Sequence, residues 1–209
     1  MELQKRIYYD MLDIFNIVNN NQKITYGLQE RKFVLNKILD DKRLRKMLLE
    51  FVEKIIVCIG NGNKLLFCGN GGSAADCQHI VAEFVVKLSK ERSALPAISL
   101  TSNTSIITAI SNDFSFDMIF SRQLEGIAKK GDIFIGISTS GKSQNIIEAF
   151  KLAKKKEVFS VAITGESSSE LHALSDMNLI IPTKNTQLIQ EVYIMFFHII
   201  CELLDDIYE

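Results

Sequence analysis

Apolar positions follow two rhythms along this chain. Within the first sixty residues they recur every three to four positions, as at Leu44, Leu48, Phe51, Ile55 and Ile59, before Gly60-Asn61-Gly62 supplies a stop. That spacing predicts helices with one face to bury. From Lys64 onward the texture changes to five short apolar runs: LLFC at 65–68, PAISL at 96–100, DIFIGI at 132–137, VFSVAIT at 158–164 and MNLIIP at 177–182. The runs are continuous rather than alternating, and helical patterns separate them. Strands covered on both faces have this signature, so the expected fold is α/β, a doubly wound five-stranded parallel sheet flanked by helices. The last segment, Gln187 to Ile207, is apolar on nearly all sides, which predicts a C-terminal helix buried in the core or in an oligomer interface. The only prolines are Pro96 and Pro182, and no Gly/Ser-rich linker divides the chain. One domain over residues 1–209 is therefore expected, with 1–60 as an N-terminal helical segment and 64–209 as the sheet and its flanking helices.

Composition narrows the function classes. The 209 residues include 24 Lys and Arg against 25 Asp and Glu, a formal charge of −1, so no global positive field favours a nucleic acid. Cys58, Cys68, Cys77 and Cys201 lie in apolar segments without CxxC spacing, as reduced, buried thiols of a cytoplasmic protein would. The start, MELQKRIYYD, does not pair a basic stretch with an apolar one, and no apolar run reaches the ~18 residues that span a bilayer. A soluble, cytoplasmic protein acting without membrane or nucleic acid is the expectation.

Two loops, each at the carboxyl end of a predicted strand where ligands of such sheets bind, carry unusual compositions. After LLFC comes Gly69-Asn70-Gly71-Gly72-Ser73-Ala74, formally a dinucleotide fingerprint opening a helix. The ribose-binding carboxylate is missing, because PAISL runs into Thr101-Ser102-Asn103. A tight turn is one alternative; another is a loop that lets a substrate approach the backbone amides and the Asn70 and Ser73 side chains. After DIFIGI, the stretch Gly136 to Ser143 matches the Walker A pattern literally, yet no strand ends in the aspartate that would hold magnesium. Ser138, Thr139, Ser140 and Ser143 can instead donate toward one anion at a helix amino terminus, a cup for a phosphate monoester. The bland alternative is a serine-rich helix cap.

Three histidines are present. His79 and Glu83, four residues apart on the helix opened by the glycine loop, share a face and can bind a metal or transfer protons together. His198 sits among Phe196, Phe197, Ile199 and Ile200, where a neutral core histidine is the plain expectation. His172, between Leu171 and Ala173, has no evident polar company and receives no role. The charged runs Asp40 to Lys46 and Lys154 to Lys156 are expected to be solvated helix faces. Asn112-Asp113 follows a helical pattern over Ser105 to Ile110 and is expected to cap or turn the chain.

Four motifs in order, GNGGSAADCQHIVAEF, LPAISLTSNTSIITAISNDFSF, GDIFIGISTSGKSQNI and IQEVYIMFFHIICEL, closely resemble the phosphoheptose isomerases of the sugar isomerase (SIS) superfamily. The resemblance implies interconversion of sedoheptulose 7-phosphate and D-glycero-D-manno-heptose 7-phosphate, the first step toward nucleotide-activated heptose for surface polysaccharide. It implies substrate contacts at Asn70, Gly71, Gly72, Asn112, Asp113, Ser138, Thr139, Ser140, Ser143 and Gln190. It also implies zinc ligands at His79, Glu83, Gln190 and His198, and a homotetramer built around a helical core to which residues 1–60 would contribute. Isomerisation through an enediol needs a base at carbon and an acid that shuttles the oxygen proton, and Glu83 and His198 are the candidates. Gln190 and His198, eight residues apart, would be separated by ~12 Å along one regular helix. Either the helix begins irregularly near Gln190 or the two come from different subunits. Lys142 in the phosphate loop and Phe114-Ser115-Phe116 depart from the usual pattern. Non-catalytic SIS relatives, acting as tetrameric protein-binding modules or sugar-phosphate sensors, are the alternative; such binding modules lack a basic residue where this chain has His198.

Overall fold

A computed structural model describes residues 21–209 and divides the chain into two units, one ending at Asp40 and one running from Asp41 to Glu209. In the first, α1 (Asn21–Asp40) is a continuous helix on which Arg31 donates to the Gly27 carbonyl (2.9 Å) and the Lys37 ammonium lies over the Phe33 ring. The helical expectation for residues 1–20 falls outside the described residues.

The second unit opens with α2 (Lys42–Gly60). Its N-cap Asp41 accepts the Leu44 amide at 3.0 Å, and Gly62, with φ of 69°, turns the chain out of it. Asp41, inside a run expected to be merely solvated, thus starts a helix. The predicted stripe is the buried face, with Leu44, Phe51, Val52, Ile55 and Cys58 inside.

All five apolar runs are strands: β1 (Leu65–Gly69), β2 (Ala97–Ser99), β3 (Ile133–Ile137), β4 (Phe159–Gly165) and β5 (Met177–Ile181). They pair in parallel in the order β2-β1-β3-β4-β5, with Leu65 opposite both Ala97 and Ile133. Between them run α3 (Gly72–Val85), α4 (Thr104–Asp113), a 3₁₀ turn at Phe116–Met118, α5 (Ser121–Ile127), α6 (Gln144–Lys155) and α7 (Leu171–Leu174), and α8 (Thr186–Tyr208) closes the chain. Every residue of β1 and β3 is buried, so both faces carry apolar side chains. Leu66, Cys68 and Phe134 join a core with Leu124 of α5 and Phe150 of α6. On the opposite face Phe67 packs against Phe84 of α3 and Phe197 of α8, with ring centroids 5.9 and 5.5 Å apart, and Phe197 also meets Phe51 of α2.

α8 is the one described helix long and apolar enough to cross a membrane, and half of its most apolar stretch is buried within the fold, as a core helix is. All four cysteines are free and buried, and burial raises the Cys58 and Cys201 thiols to about 11 and about 12. Lys156 departs from the solvated face expected of its run, since its ammonium donates to the carbonyls of Leu124, Glu125 and Ala128 and caps the end of α5.

Candidate active site

The strand order reverses between β1 and β3, and such a switch point opens a crevice beyond the strand ends. Both unusual loops leave the sheet there. Their contact is a reciprocal amide pair: Asn70 Nδ2 donates to Asn145 Oδ1 and Asn145 Nδ2 to Asn70 Oδ1, both at 2.9 Å. Asn145, in the first turn of α6, is buried. In the glycine loop the close approaches decide the residue type. A Cβ on Gly69 would lie 2.8 Å from the Ser73 carbonyl oxygen, and one on Gly72 would lie 2.5 Å from Gln190 Nε2. Gly71 holds φ at 56°, which an L side chain rarely adopts.

The serine loop runs from β3 to α6. Ser143 is the N-cap of α6, but its side chain makes no capping hydrogen bond; its Oγ lies 3.0 Å from Ser138 Oγ. The serine hydroxyls therefore turn toward one another rather than serving the helix alone, which weighs against the bland expectation of a serine cap. The Ser138 amide donates to Ile163, Thr139 accepts from the Gly165 amide at 3.0 Å, and Ser140 Oγ accepts from the Lys142 amide at 3.2 Å. Lys142 itself is exposed, as is Lys184 across a groove of about 370 Å³ that Thr139 and Ser140 also line.

α3 and α8 run side by side in the same direction, and this sets out the remaining groups. Gln190 lies against Gly72 at the start of α3. One turn on, Tyr193 Oη donates to Asp76 Oδ2 at 2.5 Å and lies 3.0 Å from Ser73 Oγ, whose hydroxyl can donate back to it. Burial, followed by the bond to Asp76, raises the Tyr193 hydroxyl far above its ordinary range, so it stays a donor. Further along, His79, Glu83 and His198 converge, with one ligand atom from each lying within 4.8 Å of the others. His79 Nε2 is 3.1 Å from Glu83 Oε1, and the imidazoles of His79 and His198 meet edge to face with centroids 5.3 Å apart. The His79 side chain is 47% exposed and that of Glu83 19%, so solvent and ligands reach the cluster. Two imidazole nitrogens and a carboxylate oxygen are a donor set suited to zinc, and they converge closely enough that small side-chain rotations would bring them onto one ion.

Residues 34–165 match the SIS domain model. The phosphoheptose isomerase of Aliarcobacter butzleri is 48% identical over 159 residues, covering 76% of this chain and 84% of its own length. That of Aneurinibacillus thermoaerophilus is 44% identical over 186 residues, covering 89% and 94%. Among solved structures, the phosphoheptose isomerase of Neisseria gonorrhoeae superposes with a TM-score of 0.81 at 35% identity, covering 88% of this chain and 98% of that one. The chain belongs to the phosphoheptose isomerase family.

In this family member some of the expected residues come together within one chain and others do not. His79, Glu83 and His198 meet, and His198 is half-buried beside His79 rather than sealed in the core as a plain core histidine would be. The contact that Gln190 makes is with Gly72, at the start of α3. α8 is regular from Thr186 to Tyr208, which removes the irregular start as an explanation and leaves Gln190 and His198 ~12 Å apart along the axis. Ser73 is buried and held by Tyr193. Asn112 and Asp113 form the last turn of α4 rather than the loop after it; both are exposed, and Asn112 Nδ2 donates to Asp113 Oδ1 at 2.8 Å. His172 does have polar company, because its Nε2 lies 2.9 Å from Thr164 Oγ1. Asn145, Tyr193 and Asp76 escaped the sequence. The signal for Asn145 was a polar residue on the apolar stripe Ile146, Ala149, Phe150 and Ala153, where a buried amide needs a partner.

Proposed function

We propose that this phosphoheptose isomerase relative converts sedoheptulose 7-phosphate into D-glycero-D-manno-heptose 7-phosphate. The observation that carries the assignment is the convergence of one carboxylate and two imidazoles within 4.8 Å on helices that start or pass beside the switch-point crevice. A ketose becomes an aldose when a proton leaves the carbon beside the carbonyl and returns to the former carbonyl carbon, while the oxygens exchange a proton. Glu83 removes the proton from C1 of the ketose, leaving an enediol, and returns it at C2. His198 donates to the C2 oxygen as the carbonyl is consumed and takes the proton from the C1 oxygen as the new carbonyl forms. The serine loop binds the phosphate through Ser138, Thr139, Ser140, Ser143 and the free amides at the start of α6, leaving Asn70, Gly71 and Gly72 to line the sugar. Ser73 and the Asn112-Asp113 pair, which form no hydrogen bond to the serine loop among the described residues, take part through backbone or neighbouring subunit contacts.

His79, Glu83 and His198 would hold zinc, with Gln190 supplied by a neighbouring subunit of a homotetramer. Zinc, when bound, polarises carbonyl and hydroxyl oxygens as a Lewis acid. Because Glu83 cannot be both a tight ligand and a free base, its coordination is weak or exchangeable. The protein works in the cytoplasm and feeds nucleotide-activated heptose to surface polysaccharide. Purified protein incubated with sedoheptulose 7-phosphate, with and without prior chelation and followed by NMR, tests the assignment. Aldose that vanishes on chelation and returns with zinc supports the whole proposal. Aldose indifferent to chelation supports Glu83 and His198 but removes the metal. No aldose in either arm overturns the activity and favours a binding module.

A further inference from the structure

We propose that Arg92, anchored by Asp205, is a positioning residue that holds Glu83 opposite His198; this rests on the assignment of those two as base and acid. α3 ends at Val85, and its last carbonyls have no partners within the helix. Arg92 supplies partners to two of them, donating from Nη2 to the Glu83 carbonyl at 2.8 Å and from Nη1 to that of Phe84 at 2.9 Å. Its Nε donates to Asp205 Oδ1 at 2.6 Å. Asp205 lies on α8, seven residues beyond His198, or about two turns. Its other oxygen accepts from the amides of Ser89 and Lys90 and from the Ser89 hydroxyl, at 2.8, 3.1 and 3.2 Å. Both side chains of the pair are 0% exposed. One guanidinium thus ties the backbone of the base to the helix that carries the acid, while Tyr193 bonds Ser73 and Asp76 on the other side of the cluster.

A buried ion pair is a poor way to stabilise a fold, since well-packed apolar residues often do as well. Apolar contacts, however, permit two helices to slide and rotate by fractions of a turn. Directed bonds from a planar fork to two successive carbonyls fix both the height and the rotation of the last turn of α3, and with them the Glu83 side chain. Lysine at position 92 would keep a charge beside Asp205 but could not also reach both carbonyls.

Arg92→Lys is therefore the first variant, and Arg92→Gln with Asp205→Asn the second. The second stays neutral, keeps an acceptor for the Ser89 and Lys90 amides, and serves if the first fails to fold. In a variant shown folded by circular dichroism, kcat for sedoheptulose 7-phosphate should fall by about 100-fold, as for a displacement near 1 Å, with KM within about twofold. Crystal structures of variant and unsubstituted protein should show the Glu83 carboxylate moved away from the His198 ring. An unmoved carboxylate, unchanged kcat, or a loss of activity that only tracks loss of folded protein overturns the positioning role. If the unsubstituted protein turns over no heptose, the proposed activity falls instead, and the paired crystal structures still decide whether Arg92 sets the placement of Glu83.

Discussion

The division of labour at the level of single residues follows from what each group can do at its distance. Glu83 stands beside two imidazoles, and no other carboxylate among the described residues shares that cluster. Glu83→Gln keeps the size and a hydrogen-bonding amide but removes the basic oxygen, so turnover should fall by at least ~100-fold while phosphosugar still binds. Isotope exchange at the substrate carbon and equilibrium dialysis measure the two; retained turnover would remove Glu83 as the base. The serine hydroxyls act on a different quantity. Ser138→Ala with Ser140→Ala deletes two donors to an anion, each worth ~1.5–3 kcal/mol, so KM should rise by more than about tenfold with a smaller change in kcat. An unchanged KM would place the phosphate elsewhere. Histidines were the hardest residues to read from sequence. The apolar neighbours of His198 predicted burial, but its ring lies on the side of α8 that faces α3, where His79 meets it. His172 showed no polar neighbour in sequence because Thr164 arrives from the end of another strand.

Secondary structure elements explain why the glycine loop needs its composition. β1, the loop and α3 must fold back so closely that Gly69 touches the backbone of Ser73, while Gly72 touches only the end of the Gln190 side chain. The two glycines should therefore respond differently to alanine. Gly69→Ala drives a Cβ into backbone that cannot yield and should cost ~1–3 kcal/mol in urea unfolding, as overpacking does. Gly72→Ala asks only that a flexible amide swing away, so stability should change by less than ~1 kcal/mol while substrate affinity falls with the displaced Gln190. Equal losses of stability would show that the loop, not the contact, sets the cost. Strands and helices were legible in the chain itself, because continuous apolar runs and a 3.6-residue stripe are one-dimensional signals. The end of α4 was not, since Asn112 and Asp113 continue the helix although polar residues there predict a turn. The side-by-side run of α3 and α8 was not legible either. Nothing in either segment says that Gln190, Tyr193 and His198 meet Gly72, Asp76 and His79 in that order, because the pairing depends on both helices packing on one face of the sheet.

On the scale of the whole unit, the residues that carry chemistry lie between elements distant in sequence, and buried polar bonds hold those elements together. Asn70 with Asn145 joins the two loops, Lys64 with Asp132 joins the amino ends of β1 and β3, and Arg92 with Asp205 joins α3 to α8. The Arg92–Asp205 pair makes the fold sensitive to acid, and its carboxyl gives that sensitivity a sign. Burial alone would raise its carboxyl, but the amides of Ser89 and Lys90 and the Arg92 guanidinium outweigh burial and hold it at about 2, below the ordinary 3.8. A carboxyl depressed in the folded state contributes stability that is complete above its unfolded value and is lost as pH falls through its folded value. The window is thus from about pH 4 down to pH 2, and the difference between the two values corresponds to ~2 kcal/mol. Asp205→Asn cannot titrate, so its stability deficit relative to the unsubstituted protein should shrink by ~2 kcal/mol between pH 5 and pH 2. Urea unfolding of the two proteins at matched concentration and pH measures that difference, and every other carboxylate cancels between them. A deficit that stays constant with pH would mean that Asp205 has an ordinary carboxyl in the folded protein, and that the amides and guanidinium around it do not bind its charge.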